Sequence, residues 1–270
     1  MTGYDSYRGG TGTPLVLLHG VQASWRIWRP VLPYLEPYHE VYAPTLPGHR
    51  GGMPIAADRA GFAGFADVLQ EQLDDAGIPD AHLAGNSLGA AVALEFARRG
   101  RARSVVAIAP PGGWRTSRDI DRVIRLIRTG RRLALRPTPR RLLRRPALRR
   151  QFLRVGFERG DRIPALEFDD MLQDLTECSC VEAVLSCARR DGTTASFQPR
   201  CPIRIAWPQY DRTIPYKRYG SGFAGLIPGS EIVMLPGVGH VPMYDDPALV
   251  AQSILHVTMS GAANAPTTHR

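Results

Sequence analysis

The sequence predicts an α/β fold: a mostly parallel central sheet with flanking helices and an inserted helical segment. Short apolar runs, typical of strands buried on both faces, alternate with helical patterns along the chain. This alternation stops after residue 109 and resumes near residue 203, and the segment between is arginine-rich and helical in pattern. At 270 residues the chain is long enough for one α/β domain with an insertion.

Six apolar runs are predicted as strands, at residues 14–20, 41–43, 81–84, 104–109, 203–207 and 231–235. Helices are predicted at residues 58–76, 88–99, 216–226 and 247–259. In the first of these helices, Phe62, Phe65, Leu69 and Leu73 recur every three or four residues, which indicates one apolar face. The second helix is expected to end at Gly100.

The chain is accordingly divided into four parts. Residues 1–111 and 200–259 form the two parts of the α/β core, 112–199 the helical insertion and 260–270 a disordered tail. The amino terminus lacks the pattern of a signal peptide, and no apolar run approaches the roughly 20 residues that span a bilayer. We therefore expect a cytoplasmic protein.

Positive charge is concentrated in the insertion. Between Arg115 and Arg162 there are 17 arginines and four acidic residues, whereas the rest of the chain has 17 basic and 21 acidic residues. One interpretation is a solvated face in an arginine-rich protein. The alternative is attraction to an anionic membrane surface, with peripheral attachment, because basic amphipathic helices bind there. Nucleic acid is not expected, since no binding motif is present.

The cysteines Cys178, Cys180, Cys187 and Cys201 do not have zinc-binding spacing, and no histidine lies near them in the sequence. We expect no metal site and predict reduced structural thiols, with one disulfide as the alternative.

The stretch Gly85-Asn86-Ser87-Leu88-Gly89 joins a predicted strand to a predicted helix. The simplest interpretation is a flexible turn. The alternative is a tight turn that exposes a nucleophile, for which Ser87 would need a histidine base oriented by a carboxylate.

His240 and Asp211 are the best candidates for these roles. Each follows a predicted strand at its carboxyl end, the edge at which open α/β sheets place their sites. Asp245 and Asp246 directly precede the last helix and are predicted as its amino-terminal caps. The order Ser87, Asp211, His240, with Gly-x-Ser-x-Gly between strand and helix, matches the nucleophile-elbow pattern.

The segment GNSLGAAVALEFARRGRARSVVAIAPPGGW, together with PLVLLHG, LPGH and GVGHVPMYDDP, resembles the α/β-hydrolase superfamily. The resemblance is closest to bacterial cap-bearing serine hydrolases of the esterase or lipase type. It covers about residues 13–115 and 200–258, and not the insertion. The sequence departs from the pattern at Ala90, where a second glycine is common, and its short amino terminus indicates that one leading strand is missing.

This resemblance implies that the insertion is a cap over Ser87. It also implies an oxyanion hole formed by the backbone N–H groups of Val21 and Leu88. Apolar cap side chains would line the substrate pocket, with candidates Trp114, Phe152, Phe157, Phe168, Met171 and Leu172.

The predicted function is hydrolysis of carboxylic esters or thioesters with an apolar acyl group, through an acyl-enzyme and without a cofactor. Three reactions of the same triad remain as alternatives: carbon–carbon bond hydrolysis, acyl transfer and cofactor-free haloperoxidase chemistry. A non-catalytic ligand-binding or membrane-associating protein is a further alternative.

Overall fold

A seven-stranded sheet forms the centre of the protein. The computed structural model describes residues 4–136, 142–143, 145–192 and 194–260. The strands are β1 (Ser6–Gly9), β2 (Thr13–Leu18), β3 (His39–Pro44), β4 (Ala81–Asn86), β5 (Ala102–Ile108), β6 (Ile203–Pro208) and β7 (Glu231–Leu235). Their order across the sheet is β1-β3-β2-β4-β5-β6-β7, and every pairing is parallel except that of β1 with β3.

The six predicted strands correspond to β2 through β7, with shifted ends. Strand β1 was missed. Its sequence, Ser-Tyr-Arg-Gly, lacks an apolar run because it lies at the edge of the sheet and alternates between exposed and half-buried positions. Only its antiparallel pairing with β3 defines it as a strand.

Ten α-helices are described. They are α1 (Leu32–Leu35), α2 (Phe62–Asp75), α3 (Leu88–Arg98), α4 (Ser117–Ala134), α5 (Pro146–Phe152), α6 (Ala165–Glu177), α7 (Val181–Asp191), α8 (Tyr216–Tyr219), α9 (Phe223–Leu226) and α10 (Pro247–Ser260). Short 3-10 helices occur at Trp25–Trp28, Ala57–Arg59, Leu153–Val155 and Gly160–Arg162.

Two predicted helices differ from the structure. The helix expected at residues 58–76 begins only at Phe62, after a 3-10 turn. The helix expected at 216–226 is instead two helices, α8 and α9, separated by Gly220-Ser221-Gly222. Two glycines within three residues lower helix propensity at this point, which accounts for the break.

Apolar side chains cover both faces of the sheet. In β2, Val16 and Leu18 belong to one buried cluster, and Leu15 and Leu17 belong to the cluster on the opposite face. This alternation explains why the strand is apolar at successive positions.

The described residues between β5 and β6 form helices and no strand. Helix α4 packs Ile120, Val123 and Ile124 into the same buried cluster as the sheet. Asp119, near its start, accepts a hydrogen bond from Arg218 of α8 at 2.7 Å, which fixes the helix to the core. The insertion is therefore packed on the α/β domain through both apolar and ionic contacts.

The predicted tail at residues 260–270 lies outside the described residues except for Ser260, which ends α10. No helix of the described chain is long and apolar enough to cross a membrane.

Three buried histidines are expected to make the fold sensitive to acid. Burial lowers the pKa values of His19, His39 and His82 below the ordinary histidine value. These side chains bind protons in the unfolded chain near pH ~6.5 but remain neutral in the folded chain until a lower pH. The free energy of unfolding should therefore fall as the pH decreases from about 6.5 towards the folded pKa values.

Urea unfolding between neutral and mildly acidic pH measures this loss. The variant His82→Gln should show a shallower pH dependence, because it removes one of the three groups. His256→Gln, at an exposed position of α10, is the matched control and should leave the pH dependence unchanged. An identical pH dependence in wild type and His82→Gln would contradict the assignment for His82.

Candidate active site

Ser87 occupies a strained turn between β4 and α3. Its backbone has φ +53° and ψ −116°, a conformation that side chains other than glycine rarely adopt. Glycine is required at Gly85 and Gly89 because other backbone atoms approach closely there, not because either residue has a positive φ. A Cβ on Gly85 would lie 2.2 Å from the carbonyl oxygen of Gly89, and one on Gly89 would lie 2.3 Å from that of Leu18. The strain is therefore borne by the serine itself, in a turn that its neighbours compress.

The loop after β2 approaches the serine from the opposite side. A Cβ on Gly20 would lie 3.3 Å from Cβ of Ser87. His19 anchors this loop, because its Nδ1–H donates to the Gly20 carbonyl at 2.8 Å and its Nε2 accepts the backbone N–H of Leu46 at 2.8 Å. A ring that donates from Nδ1 and accepts at Nε2 must be neutral, in agreement with the lowered pKa of His19. These contacts give His19 a structural role in the loop after β2.

The backbone N–H groups of Val21 and Leu88 donate to no acceptor within the described chain. Val21 directly follows the Gly20 turn, and Leu88 is the first residue of α3. A free N–H at a helix start is a favourable site for negative charge. Both groups are therefore available as hydrogen-bond donors beside Ser87.

His240 and Asp211 lie in contact, as the sequence predicts. The Nδ1–H of His240 donates to Oδ2 of Asp211 at 2.7 Å, and both side chains are buried. The other carboxylate oxygen accepts the backbone N–H groups of Thr213 at 2.9 Å and Ile214 at 2.7 Å. The turn after β6 thus fixes the carboxylate of Asp211. The carboxylate in turn fixes the imidazole of His240 through Nδ1, so Nε2 takes no part in the bond to Asp211.

Asn86 is a further polar residue at this site, and the sequence reasoning missed it. Its buried side chain donates to the carbonyl oxygen of His240 at 2.9 Å, so the residue before Ser87 holds the loop that bears the histidine. Its position within the Gly-x-Ser-x-Gly stretch was the only sequence signal for this role.

The capping role predicted for Asp245 is wrong. Its buried carboxylate accepts three backbone N–H groups: those of Glu158 at 2.9 Å, Arg159 at 2.7 Å and Gly239 at 2.7 Å. It therefore joins the insertion to the loop of His240. The prediction for Asp246 is correct, since its Oδ1 caps α10 by accepting the N–H of Leu249 at 2.9 Å. Sequence position alone could not distinguish these adjacent aspartates.

Ser87 and His240 line one apolar cavity of about 310 Å³. This volume is within the range of small-molecule sites. Helices α4, α5 and α6 of the insertion supply much of the wall. Of the predicted wall residues, those that line the cavity are Phe152, Phe157, Phe168, Met171 and Leu172.

Trp114 does not line this cavity. It is buried against Tyr219, with ring centroids 5.3 Å apart in an edge-to-face arrangement. Of the apolar stripe on α4, Ile127 lines the cavity, whereas Ile120, Val123 and Ile124 pack into the core. An apolar residue in the insertion could face either the cavity or the core, and the sequence did not distinguish the two.

One side of the cavity is polar and internally paired. Arg29 binds Asp170 at 2.8 Å, and Arg50 binds Asp174 at 3.0 Å. Burial raises the pKa of Asp174, although Ser24 Oγ–H and Arg50 contact its carboxylate. These four charges neutralise one another, whereas Arg131 and Glu167, which also line the cavity, form hydrogen bonds but no ion pair within the described chain.

The fold also brings His49 to the two cysteines Cys178 and Cys180, a proximity that the sequence spacing did not indicate. The two Sγ atoms are 3.7 Å apart, and Nδ1 of His49 lies 3.7 Å from Sγ of Cys180. The imidazole is not arranged as a metal ligand, however. Its Nδ1 faces the carbonyl oxygen of Pro47 at 3.0 Å, and its buried Nε2 has no partner to orient it within the described chain.

A hydrogen bond instead joins the sulfur atoms of Cys178 and Cys180, and it lowers the pKa of Cys178 and raises that of Cys180. All four cysteines are free.

Comparison with known proteins agrees with this fold. The chain matches the Alpha/beta hydrolase family over residues 15–253. It is 31% identical over 204 residues to epoxide hydrolase EphH of Mycobacterium tuberculosis, an alignment that covers 70% of this chain and 91% of the relative.

Two solved structures share the fold. An esterase from Thermogutta terrifontis has a TM-score of 0.71 at 20% identity, with 95% of this chain and 93% of the other covered. An epoxide hydrolase from Bacillus megaterium has a TM-score of 0.69 at 16% identity, with 97% of both chains covered. The chain belongs to the α/β hydrolase family of enzymes.

The three hydrogen bonds to Asp245 should contribute measurably to stability. In Asp245→Asn only one side-chain oxygen remains to accept, so at least one backbone N–H is left without its charged partner. We expect a loss of about 2 kcal/mol in the free energy of unfolding. Asp246→Asn is the matched control, because asparagine caps a helix as well as aspartate and should change stability by only a few tenths of a kcal/mol.

Urea denaturation of the two variants measures this difference. Equal stability of the two variants would show that Asp245 is not a crosslink between the insertion and the His240 loop.

Proposed function

We propose that this α/β hydrolase cleaves carboxylic esters or thioesters with an apolar acyl group, using Ser87, His240 and Asp211 as a catalytic triad. One observation carries the proposal: a serine in a strained turn shares an apolar cavity with a histidine that a buried carboxylate orients. A serine hydroxyl becomes a useful nucleophile when such a base accepts its proton.

In the first half-reaction, Ser87 Oγ attacks the carbonyl carbon while Nε2 of His240 takes the hydroxyl proton. The Nδ1–H bond to Asp211 leaves Nε2 as the acceptor and stabilises the imidazolium. The backbone N–H groups of Val21 and Leu88 bind the negative oxygen of the tetrahedral intermediate. Collapse of this intermediate releases the alcohol or thiol, which takes the proton from His240, and leaves the acyl group on Ser87.

In the second half-reaction, His240 removes a proton from water, and the resulting hydroxide attacks the acyl carbonyl. The same two N–H groups stabilise the second intermediate. Its collapse releases the carboxylic acid and returns the proton to Ser87, so the enzyme is restored without a cofactor. The apolar insertion side chains would hold the acyl group and exclude bulk water, which is the role expected of a cap.

A serine nucleophile favours an ester substrate over an epoxide substrate, although relatives include epoxide hydrolases. If Ser87 opened an epoxide ring, the product would be an ether between Ser87 and the substrate. An ether has no carbonyl group for water to attack, so the enzyme would stop after one turnover. An acyl-serine is an ester and can be hydrolysed. Opening an epoxide also requires a proton donor for the ring oxygen. Tyr244 is the single tyrosine among the described residues that line the cavity, and its hydroxyl donates to Glu167 instead.

The first test is Ser87→Ala. Hydrolysis of p-nitrophenyl esters should fall by several orders of magnitude, as expected when a triad acts as a unit, while the fold remains intact. A fluorophosphonate probe should label wild type and not the variant. If Ser87→Ala keeps more than about a tenth of the wild-type kcat/KM, which corresponds to only ~1.4 kcal/mol, Ser87 is not the nucleophile.

The second test addresses the orienting acid. Asp211→Asn should lower kcat by about 10⁴-fold, because the amide favours the wrong tautomer of His240. Asp246→Asn, which retains its cap, is the control and should keep wild-type kcat. A similar kcat for both variants would remove Asp211 from the triad.

A substrate panel separates the proposed reaction from its alternatives. Esters and acyl thioesters of graded chain length should turn over repeatedly, whereas an epoxide should give at most one equivalent of covalent adduct on Ser87, detectable by intact-protein mass spectrometry. Repeated turnover of epoxides, or of a carbon–carbon substrate but no ester, would overturn the ester assignment.

A further inference from the structure

Most described arginines of the insertion lack the carboxylate partners that the arginines in the first part of the core have. All nine arginines between residues 4 and 114 form ion pairs with carboxylates: Arg8, Arg26, Arg29, Arg50, Arg59, Arg98, Arg99, Arg101 and Arg103. Among the described arginines between 118 and 154, only Arg128 and Arg150 do so. The positive charge of the insertion is thus largely uncompensated within the described part of the molecule.

Four of the unpaired arginines form a stripe along α4. Arg118, Arg122, Arg125 and Arg132 are all exposed, and no carboxylate of the described chain pairs with them. At ~100° per residue, their spacing places them within about 80° of one another around the helix, over a length of about 21 Å. The opposite side of α4 faces the core and the cavity. Asp121 on the same helix binds Arg189, and Glu182 binds Arg128 while also interacting with Arg132 at longer range.

Exposed apolar side chains lie at the carboxyl end of α4 and on the two described helices that follow it. Leu133 and Leu135 flank the buried Ala134, and Leu148 and Leu166 lie on α5 and α6, with Leu166 82% exposed. The buried residues Ala134, Leu143, Ile163 and Phe168 belong to one packed cluster, so the segments that bear these leucines are packed into one body.

Arg149 fixes this layer. It is buried and donates to the carbonyl oxygens of Leu143 at 3.4 Å and Gly160 at 3.0 Å, while its guanidinium packs on the ring of Phe168. The exposed leucines are therefore held by an ordered scaffold.

We infer that the arginine stripe of α4 and the adjacent exposed leucines form a docking surface for an anionic lipid bilayer. Unpaired arginines attract the negatively charged headgroups, and leucines gain free energy when they enter the acyl boundary. A nucleic acid would satisfy the arginines but not the leucines, which is why the bilayer is favoured.

This surface adjoins the cavity. Ala134, which lies between Leu133 and Leu135, lines the cavity wall, and so does the partly exposed Val155. Docking would bring esters dissolved in the bilayer close to Ser87, a consequence that rests on the proposed function.

The binding test uses Ser87→Ala, so that hydrolysis does not alter the vesicles. Cosedimentation compares vesicles of phosphatidylcholine with vesicles of an equal mixture of phosphatidylcholine and phosphatidylglycerol. We expect binding only to the anionic vesicles, weakened as the Debye length falls from about 10 Å at 0.1 M salt to about 3 Å at 1 M.

Replacing Arg118, Arg122, Arg125 and Arg132 by glutamine should weaken the partition coefficient at least about tenfold. The matched control removes the same net charge from the core through Arg8→Gln, Arg59→Gln, Arg101→Gln and Arg103→Gln, four paired arginines. Arg8, Arg59 and Arg103 are exposed and Arg101 is half-buried. This control should bind nearly as wild type does, and circular dichroism checks that both variants are folded. A loss of similar size in the control would reduce the effect to net charge and overturn the proposal.

The apolar part of the surface is tested by Leu133→Ser combined with Leu166→Ser. This variant should bind anionic vesicles more weakly than wild type, and an unchanged affinity would overturn the role of the leucines. Equal binding of wild type to both kinds of vesicle, or to neither, would overturn the whole proposal. Arginine-stripe-dependent binding to a short DNA duplex without vesicle binding would overturn it in favour of nucleic acid.

Hydrolysis of a short water-soluble ester by the arginine-stripe variant separates this inference from the proposed function. The variant should retain that activity while losing activity on an apolar ester dissolved in anionic vesicles. Loss of both activities would show that the arginine stripe is needed for catalysis itself, and would overturn its assignment as a separate docking surface. Esterase activity without vesicle binding would leave the proposed function intact and overturn the docking surface alone.

Discussion

The geometry of the site depends on the close packing of three backbone segments: the end of β2, the end of β4 and the first turn of α3. Gly85 and Gly89 permit this packing, since a Cβ on either would overlap a carbonyl oxygen. With the strand and the helix this close, the connecting residue is held at a positive φ, and that residue is Ser87. The same compression leaves the N–H of Leu88 free at the start of α3, next to the serine.

Buried polar side chains then assemble the surrounding loops around this turn. His19 fixes the loop after β2, and Asn86 and Asp245 hold the His240 loop. In each case a side chain binds backbone groups of a segment distant in sequence. Such bonds stabilise one arrangement of loops that lack regular structure, because an unpaired buried N–H or carbonyl group is costly. Asp245 also connects the His240 loop to the insertion, so the position of the histidine depends on the insertion being docked.

The insertion has two faces with different physical properties. Its inner face is apolar and encloses the cavity together with Ser87 and His240. Its outer face bears unpaired arginines and exposed leucines, whereas the nine arginines between residues 4 and 114 are paired with carboxylates. An ordinary solvated surface mixes charges of both signs, and a field of one sign acts on partners at a distance. The proposed bilayer contact would use this outer face and leave the inner face in place around the cavity.

The sequence by itself determined the α/β class and six of the seven strands, and it predicted that Ser87, Asp211 and His240 lie at the same edge of the sheet. Periodicity and order along the chain were sufficient because strands buried on both faces are apolar throughout, and because the carboxyl ends of parallel strands meet at one edge. It did not reveal β1, whose edge position imposes no apolar pattern, and it assigned Asp245 to a helix cap instead of a crosslink.

Tertiary structure alone decided which apolar residues of the insertion face the cavity, so that Phe168 lines it and Trp114 does not. It also decided which arginines lack a partner. Both properties depend on contacts between residues far apart in the chain, and a local pattern that records only spacing cannot specify which distant residue lies opposite.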